Sequence, residues 1–195
     1  MNALRVSNLR AAGLGPLSLD VEGDETLCIH GPSGSGKTLL LRAIADLDPN
    51  SGEVVLDDTR RSDMPAHQWR RDVMYLAPES HWWLDHARPH APQWPLEMLQ
   101  ALELDNEVLD REIRQLSSGE RQRLALIRVL VRTPRVLLLD EPTANLDPNN
   151  VDAVENLIRD YRERHAAAVV WVSHDPVQRE RIATRSRRMQ QGQLQ

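Results

Sequence analysis

Gly31-Pro32-Ser33-Gly34-Ser35-Gly36-Lys37-Thr38 decides how the rest of the chain is read. Its spacing is GxxxxGK followed by Thr, the phosphate-binding loop pattern. In that pattern glycines let backbone N–H groups turn toward phosphate oxygens, and the next helix adds the positive end of its dipole. Of the 24 basic residues, 23 are arginine, and the single lysine is Lys37. A compact ammonium fits a small cradle that a broad planar guanidinium does not. Gly31, Pro32, Ser33, Gly34, Ser35, Gly36, Lys37 and Thr38 are therefore candidate phosphate contacts. The Thr38 hydroxyl is also a candidate ligand of a divalent cation.

Working outward from this loop, short apolar or alternating runs at 4–9, 17–21, 25–30, 53–57, 73–76, 135–140 and 168–173 predict strands. Segments at 37–47, 120–131, 149–164 and 176–183 predict helices. Several strand runs are too uniformly apolar to be solvated on one face, and strands alternate with helices in the second half. Both features imply parallel pairing with crossover helices, and so an α/β layered core. The loop at Gly31 falls where such a core binds phosphate, at a strand-to-helix turn. From about 78 to 112 the composition changes to Trp, His and Pro and then to a helical pattern, which predicts a lobe inserted into the sheet domain. With 195 residues the chain suits a single domain. Its expected division is a core of 1–77 and 131–195 and a helical lobe of about 78–130.

Val136-Leu137-Leu138-Leu139-Asp140-Glu141 is an apolar strand ending in two carboxylates. Such a strand delivers Asp140 to the shell of a Mg²⁺ ion that Thr38 also contacts, and leaves Glu141 as the acceptor that polarises an attacking water. Leu116-Ser117-Ser118-Gly119-Glu120 opens a further helix with Ser and Gly and makes a second anion site with its own backbone donors. One nucleotide does not need two helix N-termini from one chain. Val169-Val170-Trp171-Val172-Ser173-His174 ends another apolar strand in a histidine, placed to sense a terminal phosphate.

Composition excludes several classes. The longest apolar runs fall far short of the roughly 20 residues a membrane helix requires. Met1-Asn2-Ala3-Leu4-Arg5-Val6 lacks the basic stretch and apolar core of a secretory signal. The single cysteine, Cys28, lies in an apolar run and reads as a buried thiol suited to a reducing cytoplasm. A net charge of -5 argues against nucleic acid as a partner, and Arg179, Arg181, Arg185, Arg187 and Arg188 read as a solvated face.

In this order the segments resemble the ATP-binding cassette (ABC) ATPases over essentially the whole chain. They correspond to Walker A (Gly31–Thr38), signature (Leu116–Glu120), Walker B (Val136–Glu141), D-loop (Ala144-Asn145-Leu146-Asp147) and switch histidine (His174). The resemblance implies a P-loop NTPase core with a mostly parallel sheet, a small antiparallel β part and an inserted helical lobe. It implies ATP and Mg²⁺ as cofactors. It also implies a head-to-tail homodimer in which Ser117, Ser118, Gly119 and Glu120 of one copy close over the ATP held by the other. Glu141 and His174 take the catalytic positions, and Thr38 and Asp140 the metal positions. The expected activity is ATP hydrolysis that energises a separately encoded transmembrane permease, with the chain cytoplasmic and peripheral on the inner face of the membrane. Within the family, Ser33–Leu40, Leu126–Arg128 and Val169–Asp175 are most similar to the ATP-binding subunit of a bacterial iron exporter.

Three departures stand out. The family glutamine after the strand that precedes the lobe is replaced by Pro78, with Glu79 beside it as a candidate metal ligand. No aromatic residue precedes Trp69, so adenine must rest on aliphatic or arginine groups. Ser118 and Glu120 stand where glycine and glutamine are common. The histidines of His81–His90 follow no compact ligand spacing. Trp82 and Trp83 suit either docking on a membrane partner or packing inside the lobe. Two other readings are weighed beside transport: a non-transport ABC ATPase acting on DNA or the ribosome, and a nucleotide-dependent regulator of low turnover.

Overall fold

Thr26–His30, Val136–Asp140 and Ala168–Val172 present almost no position to solvent, the pattern of strands covered on both faces. In the computed structural model, which describes residues 4–195, these three lie together. Met1 to Ala3, within the stretch read as lacking a leader pattern, fall outside the described residues. The chain runs β1 (Leu4–Ala11), β2 (Leu14–Val21), β3 (Thr26–His30), α1 (Lys37–Ile44), β4 (Asn50–Leu56), β5 (Thr59–Arg60), α2 (Ala66–Asp72), β6 (Val73–Leu76), α3 (Leu96–Ala101), α4 (Ser118–Leu130), β7 (Val136–Asp140), α5 (Pro148–His165), β8 (Ala168–Val172), α6 (Pro176–Ile182), β9 (Arg185–Gln190) and β10 (Gln193–Leu194).

The larger sheet has the order β10-β9-β3-β8-β7-β6, parallel throughout except at the β9–β10 edge. The smaller, β2-β1-β4-β5, is antiparallel. Side-chain alternation divides the core in two. Val136 and Leu138 of β7 pack toward α1 and the antiparallel sheet, whereas Leu137 and Leu139 pack toward α4 and α5. Asp140, two residues beyond Leu138, shares the α1 side by the same parity. This places the first Walker B carboxylate on the face where Lys37 and Thr38 begin α1.

Several boundaries differ from the sequence expectation, each for a local reason. The first helix ends at Ile44 rather than at 47 because Asp46 turns to φ 59. Its last carbonyls are taken by side chains: Trp69 Nε1 donates to the Ile44 oxygen at 2.9 Å and Arg61 to that of Ala43 at 3.0 Å. Between 78 and 112 only the six residues of α3 form an α-helix, with short 3-10 turns around them. The arginines read as a solvated face partly belong to β9. Arg185 clasps Glu25 at 2.6 Å, and its neighbours pair with β3. β10 follows, and its turn braces the phosphate loop: Gly192 N–H donates to the Ser35 carbonyl at 3.0 Å.

Candidate functional site

The turn between β3 and α1 is held open by three glycines in the left-handed region, Gly31 at φ 146, Gly34 at 75 and Gly36 at 105, where residues with a Cβ are strained. A Cβ on Gly31 would strike the Met189 carbonyl at 2.1 Å, and one on Gly36 would meet Leu14 at 2.8 Å. A Cβ on Gly34 would meet nothing within 4 Å. The loop is thus packed hard from behind and open in front. Pro32, Ser33 and Thr38 are exposed, and Ser35 is buried with its hydroxyl unpartnered. A buried orphan hydroxyl beside an open glycine is the cradle a phosphate group fits.

Lys37 is buried at the mouth of this turn. Its Nζ donates to the Gly31 and Pro32 carbonyls at 2.9 and 3.0 Å, which leaves one N–H for a ligand. Burial lowers its pKa, while the Glu141 and Asp140 carboxylates oppose that shift. The three residues therefore share one electrostatic site although about a hundred positions separate them in sequence.

Asp140 is buried at the end of β7 and accepts a 2.9 Å hydrogen bond from the Tyr75 hydroxyl on β6. Glu141 leaves the strand at φ 50, a left-handed conformation uncommon for a residue with a side chain. That turn brings its carboxylate to His174, whose Nε2 lies 2.6 Å from Oε1. Both line a cavity of about 260 Å³ with Thr143, Ala144, Val151, Ser173, Asp175 and Gln178.

The switch loop is held by a buried polar network that the sequence did not disclose. Ser173 Oγ donates to Gln178 Oε1 at 2.7 Å, and Gln178 Nε2 donates to Thr143 Oγ1 at 2.9 Å and to Glu155 at 2.8 Å. Arg181 closes the network on Glu155 at 2.5 Å. Gln178→Leu removes all three contacts of that amide and should lower unfolding stability by about 2–4 kcal/mol. Urea denaturation measures it.

The Ser117–Glu120 turn stands apart. Ser117 caps α4, its Oγ accepting from Glu120 N–H at 3.1 Å while the Glu120 carboxylate accepts from Ser117 N–H at 2.8 Å, a reciprocal capping box. Glu120 also pairs with Arg111 at 3.0 Å. Ser117 and Ser118 are exposed, and the first-turn N–H groups of Ser118 and Gly119 lack intrahelical partners by helix geometry. A Cβ on Gly119 would come within 3.1 Å of Leu146, so this glycine permits close packing on the D-loop. Among the described residues, no hydrogen bond or ion pair joins this turn to Gly31–Thr38.

Glu79 is exposed and lines a cavity of about 320 Å³ with Pro78, Ser80, Ser118, Arg121, Gln122 and Asn145. Gln122 ties this loop to α4 by donating to the Ala77 carbonyl at 2.9 Å. Beyond it the two tryptophans part: Trp82 packs against the α4 cluster, and Trp83 is 69% exposed. Arg128 lies over both rings, 4.4 and 5.3 Å from their centroids. His90 Nε2 accepts from the N–H groups of Trp83 and Leu84 at 3.2 Å, so its ring is committed to shaping this loop.

A glycine cradle, a buried lysine and two strand-end carboxylates on a parallel sheet define a nucleoside-triphosphate-binding ATPase domain. A sequence profile of the family described as ABC transporter matches residues 14–144; the chain belongs to that family and is an ATP-hydrolysing cassette. The chain is 34% identical to an Escherichia coli K12 protein named as a probable iron export ATP-binding protein, FetA, over 83% of this chain and 78% of that one. It is 30% identical to the arginine transport ATP-binding protein ArtP of Haemophilus influenzae, over 98% and 90% of the two. Its fold superposes with TM-score 0.82 on a dimeric bacterial ABC transporter cassette, at 25% identity and over 98% and 96% of the two chains. No helix among the described residues is long and apolar enough to cross a membrane.

Proposed function

We propose that two copies of this chain pair head to tail around two ATP molecules and that the closing and opening of this dimer drives a separately encoded permease. The observation that carries the reading is the exposed Ser117–Gly119 turn, which carries unpaired helix N–H groups and makes no bond to the phosphate loop of its own chain. In a two-fold pair the same patch completes both pockets. Gly31 to Thr38 hold the triphosphate, Glu141 polarises the attacking water and His174 orients Glu141. We read 1–77 and 131–195 as the core that does this and about 78–130 as the lobe that presents the signature turn.

The donor set suits magnesium. A buried carboxylate at Asp140 and a hydroxyl at Thr38 are the sparse oxygen ligands this ion takes beside phosphates and water. When bound, the ion neutralises phosphate charge. Glu79, on the exposed loop facing Ser118, is a ligand only if closure carries it toward the metal.

Permease docking is assigned to the groove of about 530 Å³ lined by Ser80, His81, Trp82, Leu84, Asp85, Glu112, Ile113, Arg114 and Arg121. Its loop is fixed by His90 and Arg128, and exposed Trp83 stands beside it. On this reading the chain sits on the inner face of the membrane. Export of iron is the finer reading and rests on the likeness to FetA. Steady-state ATP hydrolysis, alone and with a co-purifying membrane protein, tests the proposal. Turnover stimulated by that partner supports it, and absence of turnover in both states favours the regulator reading. Metal content of vesicles carrying the complex tests the cargo.

A further inference from the structure

β6 and β7 pair in parallel register with Tyr75 opposite Leu138. Side chains of equal parity share a face, so the Tyr75 ring lies on the α1 side of the sheet, packed against the core cluster that holds Leu138. From there its hydroxyl reaches Asp140 Oδ2 at 2.9 Å. Asp140 is only 1% exposed, so a partner for each of its oxygens matters. The phenol supplies one and leaves Oδ1 and the remaining lone pairs for a metal ion or its water. The same segment lacks the glutamine its family carries, with Pro78 in that place, and Glu79 points to the cavity by Ser118. The polar contact that the strand-to-lobe segment makes with the metal-side carboxylate thus comes from Tyr75, three residues earlier and on the rigid strand.

We infer that Tyr75 is a positioning residue that fixes the Asp140 carboxylate for the metal-bearing nucleotide. The inference rests on the ATPase reading above. Partners that orient a metal ligand from behind change metal affinity by about tenfold to a hundredfold when removed.

The test uses the full chain with ATP and Mn²⁺ as the probe, free Mn²⁺ being followed by electron paramagnetic resonance. Tyr75→Phe, which deletes only the hydroxyl, should raise the half-saturating Mn²⁺ concentration about tenfold and leave ATP affinity in EDTA unchanged. In an Asp140→Asn background the same substitution should add no further loss, because Tyr75 acts through Asp140. A folded Tyr75→Phe protein with the parent Mn²⁺ affinity overturns the inference, as does an equal additional loss in the Asn background. The unmodified protein provides a check independent of folding. It has two tyrosines, and the other, Tyr161, donates to the Pro134 carbonyl. On adding Mg²⁺ to the ATP-bound protein, the Cζ resonance of Tyr75 should move and that of Tyr161 should not; an unmoved Tyr75 overturns the inference. A parent that takes up no Mn²⁺ with ATP overturns the ATPase reading beneath it as well.

Discussion

Glu141→Gln should lower steady-state ATP hydrolysis by about a hundredfold to ten-thousandfold, the range that a positioned proton acceptor contributes. The substitution should change little else. Glutamine keeps the side-chain shape and an oxygen that can face His174 Nε2, which now lies 2.6 Å from the carboxylate. The backbone at this position already sits at φ 50 and has no reason to relax. What is lost is basicity. A protein that binds ATP but does not cleave it should then accumulate closed dimers, seen by light scattering as a mass roughly twice that of the monomer. A variant that remains monomeric with ATP and Mg²⁺ would count against the head-to-tail pair. One that hydrolyses at the parent rate would remove Glu141 from the chemistry. Both readouts are needed, because turnover reports the acceptor and mass reports whether the Ser117–Gly119 turn finds a second chain.

How much of this was legible beforehand depends on where each residue's partners lie. β3, β7 and β8 could be read because burial on both faces leaves a continuous apolar run in sequence. β9 could not. Of Arg185-Ser186-Arg187-Arg188-Met189-Gln190, only Met189 is buried, so the strand carries no apolar alternation. It exists because β3 offers an open parallel edge and Glu25 holds Arg185. The end of α1 was misplaced for a similar reason: the groups that take its last carbonyls, Arg61 and Trp69, come from other elements.

The site divides along the same line. The patterns at Gly31–Thr38, Asp140–Glu141 and Ser117–Gly119 stand out in the sequence as candidates because phosphate and metal chemistry demands particular residue types at fixed local spacing. Tyr75, Gln178, Thr143 and Glu155 do not, because each acts on a residue distant in sequence. Tyr75 and Asp140 are 65 positions apart, and Gln178 and Thr143 are 35 apart. The capping box at Ser117 lies between the two cases. Its spacing was in view, yet the sequence did not disclose that the Glu120 carboxylate folds back on Ser117 N–H and pairs with Arg111.

Lys37→Ala should weaken ATP binding by about tenfold to a hundredfold, since hydrogen bonds to a charged group contribute about 1.5–3 kcal/mol and each 1.4 kcal/mol is a factor of ten. The geometry gives a physical reason for lysine here in a chain that uses arginine at its other 23 basic positions. Two of the three ammonium N–H groups are spent on the Gly31 and Pro32 carbonyls at 2.9 and 3.0 Å, which leaves the third for a ligand. A guanidinium cannot divide its planar fork in this way within a buried cradle, so Lys37→Arg should fail to restore affinity even though the charge is kept. The loss should also be separable from folding. Burial lowers the Lys37 pKa, so keeping this ammonium charged in the folded protein carries a cost that alanine removes. The two freed carbonyls lie on a partly exposed turn where water replaces the ammonium. The melting temperature without nucleotide should therefore stay close to that of the parent, while titration calorimetry with ATP shows the weakened binding. Recovery of parent affinity by arginine would mean that the cradle selects only for charge, and unchanged affinity in the alanine variant would mean that the triphosphate binds elsewhere.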